Sequence, residues 1–579
     1  MTEGLKDEYD IVICGAGLAG LTLARQITRE IPEASLLLIE GTGDKSRTGA
    51  IQVGESTIEI SANYLTNVLG LSEYFEATHY HKWGLRFFFG SGTTPIEERP
   101  ELGTSHASPK NSFQLDRAML ETDLKRFNAD LGVQMLAESK VEEIHLAQKD
   151  GLHEIVVVEK PTKQRHVFKC RWVIDAMGRR RYLQKKLGVA EPANPHHSSS
   201  WFRLPGRIDI CDLVPRTRTD WHKSVPDNNR YYSTNHLMDN GRWVWLIPLA
   251  SRTTSVGIVT HEEHYPFEEY NTYEKAMQWL QKYEPLLWNY IHTLQPIDFQ
   301  CLRHYSYSSK QVYSTDRWAC TGDAGVFSDP FLSPGIDQAG FGNTIITNMI
   351  KLDRAGALTE QLVEHFNESF LSFHNVTSWI TQPAYNFFGN GVVMGVKLMW
   401  DFARGFSLNA SNRFNQTYLD LERSQALQPM LSRLFNLTVR MEKLFKAWAD
   451  HSSKRYTYTF VDYFAIPGIL DLYMQNFQTG KSLEELVADH QVTLAYMEEL
   501  VQIIFLIALA DTMPETLKDM PSPLWLNAWG VGLDPKRWQR DKLFAPASSP
   551  RHLHIVDIAQ RFGVTDIEEL LTSSRVAIS

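Results

Sequence analysis

Apolar residues change their spacing twice along this chain, and the changes divide it into three stretches. In the first, Tyr9-Asp-Ile-Val-Ile-Cys14 is a short apolar run with β-branched residues, which predicts a buried strand. It runs into Gly15-Ala16-Gly17-Leu-Ala-Gly20, after which Leu21, Leu23, Ala24 and Ile27 follow helical spacing. A second strand is predicted over Ser35-Leu-Leu-Leu-Ile39, ending at Glu40. This β–α–β order predicts a parallel α/β sheet. The second stretch, roughly residues 80 to 320, is rich in strand signals: Leu85 to Phe89, His153 to Val158, Trp172 to Ala176, Trp243 to Ile247 and Ser255 to Val259. From about residue 340 the period becomes helical, with a proline-broken stretch at Pro521, Pro523, Pro535, Pro546 and Pro550 before a last helical segment.

Composition narrows the classes without choosing one. At 579 residues, two or three lobes are expected, and 43% hydrophobic with 22% charged residues is ordinary for a globular protein. A net charge of −10 speaks against a nucleic-acid partner, and the run Arg179, Arg180, Arg181 is expected to be a solvated turn. The five cysteines are scattered without metal-ligand spacing, so no metal site is expected. Glu3, Asp7, Glu8 and Asp10 precede the first apolar run, unlike a signal peptide, and the apolar stretch Leu500 to Ala510 is too short to span a bilayer. A cytoplasmic chain with no transmembrane segment is the expectation.

The glycine loop carries the first chemistry. Gly15 permits a tight turn, Gly17 lets the backbone approach a pyrophosphate, and Gly20 allows close helix–strand packing. With Ala16, these residues form a dinucleotide-binding loop at a helix N-terminus, and Glu40 can accept from ribose hydroxyls. Ala319-Cys-Thr-Gly-Asp323-Ala324 and Gln114-Leu-Asp-Arg117 resemble segments of flavoprotein hydroxylases. That resemblance implies FAD, with Asp323 on its ribityl chain and Arg117 near the cofactor. A further glycine-rich run, Gly389-Asn-Gly391-Val-Val-Met-Gly395, lacks a βαβ context and reads as a helix contact or kink.

Trp243-Val-Trp245-Leu-Ile247-Pro248 is expected to place both tryptophans and Ile247 on one strand face, with Pro248 stopping the strand. In an FAD protein this WxWxIP pattern resembles the signature of flavin-dependent halogenases. Val53-Gly54-Glu55-Ser56 resembles that family's flavin strap, Lys82 its catalytic lysine, and Asp329-Pro-Phe-Leu-Ser-Pro-Gly-Ile336 its segment beside the isoalloxazine. The likeness covers roughly residues 8 to 345. By residue spacing alone, Lys82 lies on an alternating strand and fits a surface position equally well.

The fold the resemblance implies is α/β: a glutathione-reductase-like, Rossmann-type FAD-binding domain with a β-rich substrate-side sheet and a mostly helical C-terminal region. The implied division is a core over 1–345, with the substrate-side insertion at about 80–115 and 190–310, and a helical region over 346–579. The implied chemistry is oxidation of chloride or bromide to hypohalous acid by FAD, used as FADH2, and O2. Lys82 directs the halogen to an electron-rich aromatic ring, Trp243 and Trp245 wall the ring off from the flavin, and Gly335 and Ile336 hold halide. Ser333 joins Lys82 as a catalytic candidate, and Ile336 also touches the cofactor. Where tryptophan halogenases carry a glutamate this chain has Leu332, which points to phenolic or pyrrole-like substrates, free or carrier-bound. With no second nucleotide site visible, a separate NAD(P)H flavin reductase is the expected partner. The rival is an FAD-dependent aromatic hydroxylase using NAD(P)H.

Overall fold

The structure, a computed structural model, describes residues 5–41, 54–148, 151–192, 196–520, 526–545 and 554–572. Strand β1 (Glu8–Cys14) leads through helix α1 (Leu18–Glu30) to β2 (Leu36–Ile39), and Ile11 to Cys14 pair in parallel with Leu36 to Ile39. The sheet continues beyond β2 with Gln134–Leu136 and beyond β1 with Arg165–Asp175, all in parallel. The last part of Arg165–Asp175 also pairs in parallel with Trp318–Cys320, while its first half runs antiparallel to His153–Glu159, which is followed by Ser139–His145. Helices cover the parallel strands, so the strands are apolar on both faces, and this explains the unbroken run at residues 11 to 14. His153 to Val158 and Trp172 to Ala176 therefore belong with the nucleotide fold.

A second sheet of eight strands is formed by distant segments in the order Asp298–Leu302, His197–Pro205, Thr253–His261, Arg242–Leu249, Thr234–Asp239, Leu85–Phe89, Glu101–Gly103 and Phe460–Asp462. Alternation assigns its faces. Phe87, Trp243, Trp245 and Ile247 join one core cluster, while Phe88, Val244, Leu246 and Val256 join another beneath Trp279. Pro248 does not stop its strand: it pairs with Thr254, and the strand ends at Leu249. The ladder to Thr234–Asp239 ends at Leu246, so on that edge no partner calls for the N–H that proline lacks.

Long helices dominate the last third: Gly335–Arg354, Glu360–Ala384, Gly391–Arg404, Leu421–His451 and Leu483–Thr512. Asn390 caps the third of these by accepting from the Val393 amide, and a side chain at Gly395 would strike the Tyr458 hydroxyl at 2.3 Å, so that glycine run is a helix contact. Leu483–Thr512 extends well beyond the apolar stretch expected at Leu500 to Ala510, because polar turns precede it. By length and composition it could cross a membrane, but two-thirds of its most apolar window (67%) is buried inside the protein. Its Leu500, Ile504, Phe505 and Ile507 share one core with Trp243 and Trp245.

Candidate active site

The glycine loop fits a dinucleotide by what its three glycines would otherwise strike. A Cβ on Gly15 (φ +119°) would lie 2.2 Å from the Ala176 carbonyl oxygen, and one on Gly20 would lie 2.0 Å from the Gly15 carbonyl oxygen. A Cβ on Gly17 would meet no protein atom within 4 Å, leaving a cradle in front of α1, whose N-cap makes no side-chain bond. Ala16 is buried within the loop. Glu40 is buried at the end of β2, with its carboxylate 3.0 Å from the Lys125 ammonium.

From this loop a cleft runs past Gly54, Glu55, Ser56, Arg117 and Asp323 to Trp243, Trp245, Ser333, Gly335 and Ile336. Segments more than 300 residues apart thus meet, and the order of elements suits an extended FAD molecule. Val53 lies outside the described residues. Burial pushes the Asp323 carboxyl up to about 6, against the pull of Arg117 and Arg179. Arg117 both donates to the Gly54 carbonyl at 3.4 Å and pairs with Glu121. The basic run is a turn in which Arg179 and Arg180 are exposed, as expected, although Arg180 donates to the Val141 carbonyl; only Arg181 is half-buried, 4.0 Å over the Tyr307 ring. Glu55 is buried and pushed up to about 7, chiefly by burial, while Ser56 Oγ shares a hydrogen bond with Thr234.

At the far end the two tryptophans form a wall. Their rings are 5.6 Å apart, and Trp243 is equally close to Phe331. The Trp243 indole N–H donates to Tyr385 (2.8 Å), whose hydroxyl donates to Asp329 (2.8 Å). The Trp245 indole donates to Ser255, and its ring lies where any side chain at residue 257 would sit. Asp329 opens the segment read in the sequence as lying beside the isoalloxazine, whereas its bond from Tyr385 and the place of His236 in the cleft were not foreseen. His236 lines the cleft, stacks on Phe87 with centroids 4.6 Å apart, and donates Nδ1–H to the Arg86 carbonyl. Burial holds its imidazole down to about 3, so the ring is neutral.

Lys82 lies outside the cleft lining and not on a strand. Residues 82–84 form an irregular connection, turned by Gly84 at φ +65°, so the expected alternation fails there. The lysine is 3% exposed, and its ammonium donates to the Thr57 carbonyl at 2.7 Å. Burial draws its pKa down to about 8, with Glu59 opposing. His236, which lines the cleft, feels its charge.

Leu332 (φ +65°) and Ser333 (φ +58°) both adopt left-handed backbone before the helix at Gly335. Pro334 caps that helix without an N–H, so the amides of Gly335 and Ile336 are the first donors facing the cleft. Elsewhere, His196, Glu262 and His304 come close enough to share a metal, but Glu262 already pairs with Arg303.

A protein-family profile described as lycopene cyclase protein matches residues 10–197. "Flavin-dependent halogenase chlA" of Dictyostelium discoideum is 26% identical over 436 residues, 70% of this chain and 71% of that protein. A chlorinase of 1H-pyrrole-2-carbonyl peptidyl-carrier protein from Pseudomonas fluorescens is 26% identical over 57% of this chain and 73% of its own length. Among solved structures, halogenase PltM superposes with a TM-score of 0.60 at 16% identity, covering 85% of this chain and 95% of that one. The brominase Bmp2 superposes with a TM-score of 0.52 at 20% identity, covering 66% and 88%. With the glycine cradle, the long cleft and the tryptophan pair in place, the chain is similar in sequence to flavin-dependent halogenases and shares the fold of solved members of that group.

Proposed function

We propose that the protein makes hypohalous acid from chloride or bromide at the cleft and uses Lys82 to direct the halogen onto an electron-rich phenolic or pyrrole-like ring. The nucleotide-binding half is then of the glutathione-reductase type. A separate NAD(P)H flavin reductase supplies FADH2, and the substrate is either free or tethered to a carrier protein, as the name of the Pseudomonas fluorescens relative indicates for that enzyme. The observation that carries this reading is Lys82 itself: a buried lysine, pinned to the Thr57 carbonyl, whose charge reaches His236 in the lining of the tryptophan-bearing cleft.

In this reading the glycine loop, Glu40, the strap residues Gly54 to Ser56, Arg117 and Asp323 hold FAD. When bound and reduced, FAD supplies the two-electron activation of O2 with which halide is oxidised. Gly335 and Ile336 offer amides to the halide, and Ser333, in the same cleft lining, orients the oxidised halogen. The Tyr385–Asp329 pair locks Trp243, so an aromatic substrate is denied contact with the isoalloxazine and hydroxylation is suppressed. Lys82 near pH 8 offers both an ammonium donor to hypohalous acid and an amine that takes up halogen.

Incubation with FAD, a flavin reductase, NADH and bromide over phenol, pyrrole and indole compounds, read by mass spectrometry, tests this. The expected result is brominated product from the native protein and none from Lys82→Ala, with FAD still bound to both. Hydroxylated product in place of brominated product would overturn it in favour of the hydroxylase.

A further inference from the structure

Three side chains of metal-ligating type meet at one end of the second sheet, away from the cleft lining. His196 immediately precedes His197–Pro205, Glu262 immediately follows Thr253–His261, and His304 lies two residues beyond Asp298–Leu302. These strands are neighbours in the sheet, and the register that pairs His197 with His261 and Ser199 with Leu302 brings the three residues together. One ligand atom from each lies within 4.8 Å of the other two. The His196 Nδ1 is 3.8 Å from the Glu262 Oε2, and the His304 Nε2 is hydrogen-bonded to that same oxygen. The two imidazole rings stand with centroids 4.2 Å apart.

The backbone and the outer contacts hold this arrangement in place. Arg303, itself anchored to Glu268 at 2.9 Å, takes the other carboxylate oxygen, Oε1, and so fixes Glu262 with Oε2 turned toward both histidines. The Glu262 amide donates to the His196 carbonyl at 3.1 Å, and the His304 amide donates to Ser198 Oγ at 3.2 Å. His304 adopts left-handed backbone (φ +45°), a strain the surroundings must sustain. Its ion pair with Glu262 accounts for His304 alone. It does not account for His196, whose ring faces the same oxygen from beyond hydrogen-bond reach. Two imidazole nitrogens and one carboxylate oxygen suit Zn2+, whereas Mg2+ and Ca2+ prefer oxygen alone. The 3.8 Å separation is already close to the roughly 3.4 Å between ligand atoms of a tetrahedral ion with bonds of about 2.1 Å. His196 is exposed and the other two are half-buried, so water can complete the shell.

We propose that His196, Glu262 and His304 bind Zn2+ as a structural clip across the ends of three neighbouring strands. The clip needs neither flavin nor halide. Its place in the fold connects it to the cleft, because the residues next to two of its ligands reach Asp329. The Tyr305 hydroxyl donates to the Asp329 carboxylate at 3.0 Å, and the His197 Nδ1 lies 3.6 Å from it. Asp329 in turn lines the cleft and holds Tyr385, which fixes Trp243. An ion drawing the strand ends together therefore stiffens the support behind the tryptophan pair.

The test uses the full chain with FAD bound, freed of metal by a chelator and dialysed, then titrated calorimetrically with zinc chloride. One equivalent of Zn2+ should bind and raise the melting temperature, and magnesium chloride should do neither. His196→Ala removes an exposed ring that makes no hydrogen bond within the triad, so the metal-free variant should melt as the native protein does. Its zinc affinity should nevertheless fall by about tenfold or more, at least what losing an outer-shell partner costs. His304→Ala should weaken zinc binding as much or more. His145→Ala is the control, because His145 is an exposed histidine paired with a glutamate, Glu143 at 3.0 Å, without a third ligand, and it should bind zinc as the native protein does. Native protein that takes up no zinc overturns the clip. Equal affinity in His196→Ala and the native protein overturns it as well, as does an equal loss in His145→Ala, which would mark scattered surface binding.

Discussion

At the scale of single residues, the buried Lys82 works against stability. A lysine normally near 10.5 is held at about 8 by burial, so below pH 8 the protein carries a buried cation that the unfolded chain keeps in water. The shift corresponds to a cost on the order of 3 kcal/mol. Between pH 8 and 10.5 the unfolded state binds more protons than the folded one, so stability rises with pH across that window. Lys82→Met, which keeps the length and removes the charge, should therefore resist urea better than the native protein at pH 7. The advantage should shrink as pH rises past 8 and vanish above about 10.5, in denaturation curves taken at several pH values. An equal gain at every pH would show that the ammonium is not strained by burial.

At the scale of elements, the first strand–turn–helix makes two different uses of glycine. Gly20→Ala places a methyl 2.0 Å from the Gly15 carbonyl, forcing α1 away from β1. That variant should lower the melting temperature of the FAD-free protein and lose FAD together. Gly17→Ala touches no protein atom within 4 Å, so the FAD-free protein should melt as the native one does. Its affinity for FAD should nevertheless fall, by about tenfold or more, as expected for a methyl placed where the pyrophosphate approaches. Calorimetry without FAD and flavin titration separate the two effects. Gly17→Ala binding FAD normally would remove the pyrophosphate from this loop.

At the scale of the molecule, the division at about residue 345 runs through shared structure. The strand Phe460–Asp462 adds to the second sheet beside Glu101–Gly103. One apolar cluster joins Trp243 and Trp245 to Tyr385, Trp400 and Phe505, and Tyr385 also fixes the orientation of the Trp243 indole. A fragment over 1–345 should therefore expose the face carrying Phe87, Trp243 and Trp245, and aggregate or lose the tryptophan wall. Size-exclusion chromatography and tryptophan fluorescence check this. A monomeric fragment with native emission and bound FAD would establish the first 345 residues as an independent unit.

Sequence alone determined what depends on near neighbours. Gly15, Gly17, Gly20 and Glu40 span one βαβ unit, whose geometry is local, and the alternation from Trp243 to Ile247 fixed which side chains share a face. Lys82 was legible through resemblance, but its burial was not, because the backbone turn at Gly84 and the Thr57 carbonyl that pins it depend on the folded surroundings. Charge foretold the exposure of Arg179 and Arg180, but not the half-buried Arg181, whose partners at Ser308 and Tyr307 only the fold supplies. Tyr385 and His236 carry no motif. Their roles arise where distant segments converge, with Tyr385 meeting Trp243 across 142 residues of chain. Such pairings exist only once the helical third packs against the second sheet.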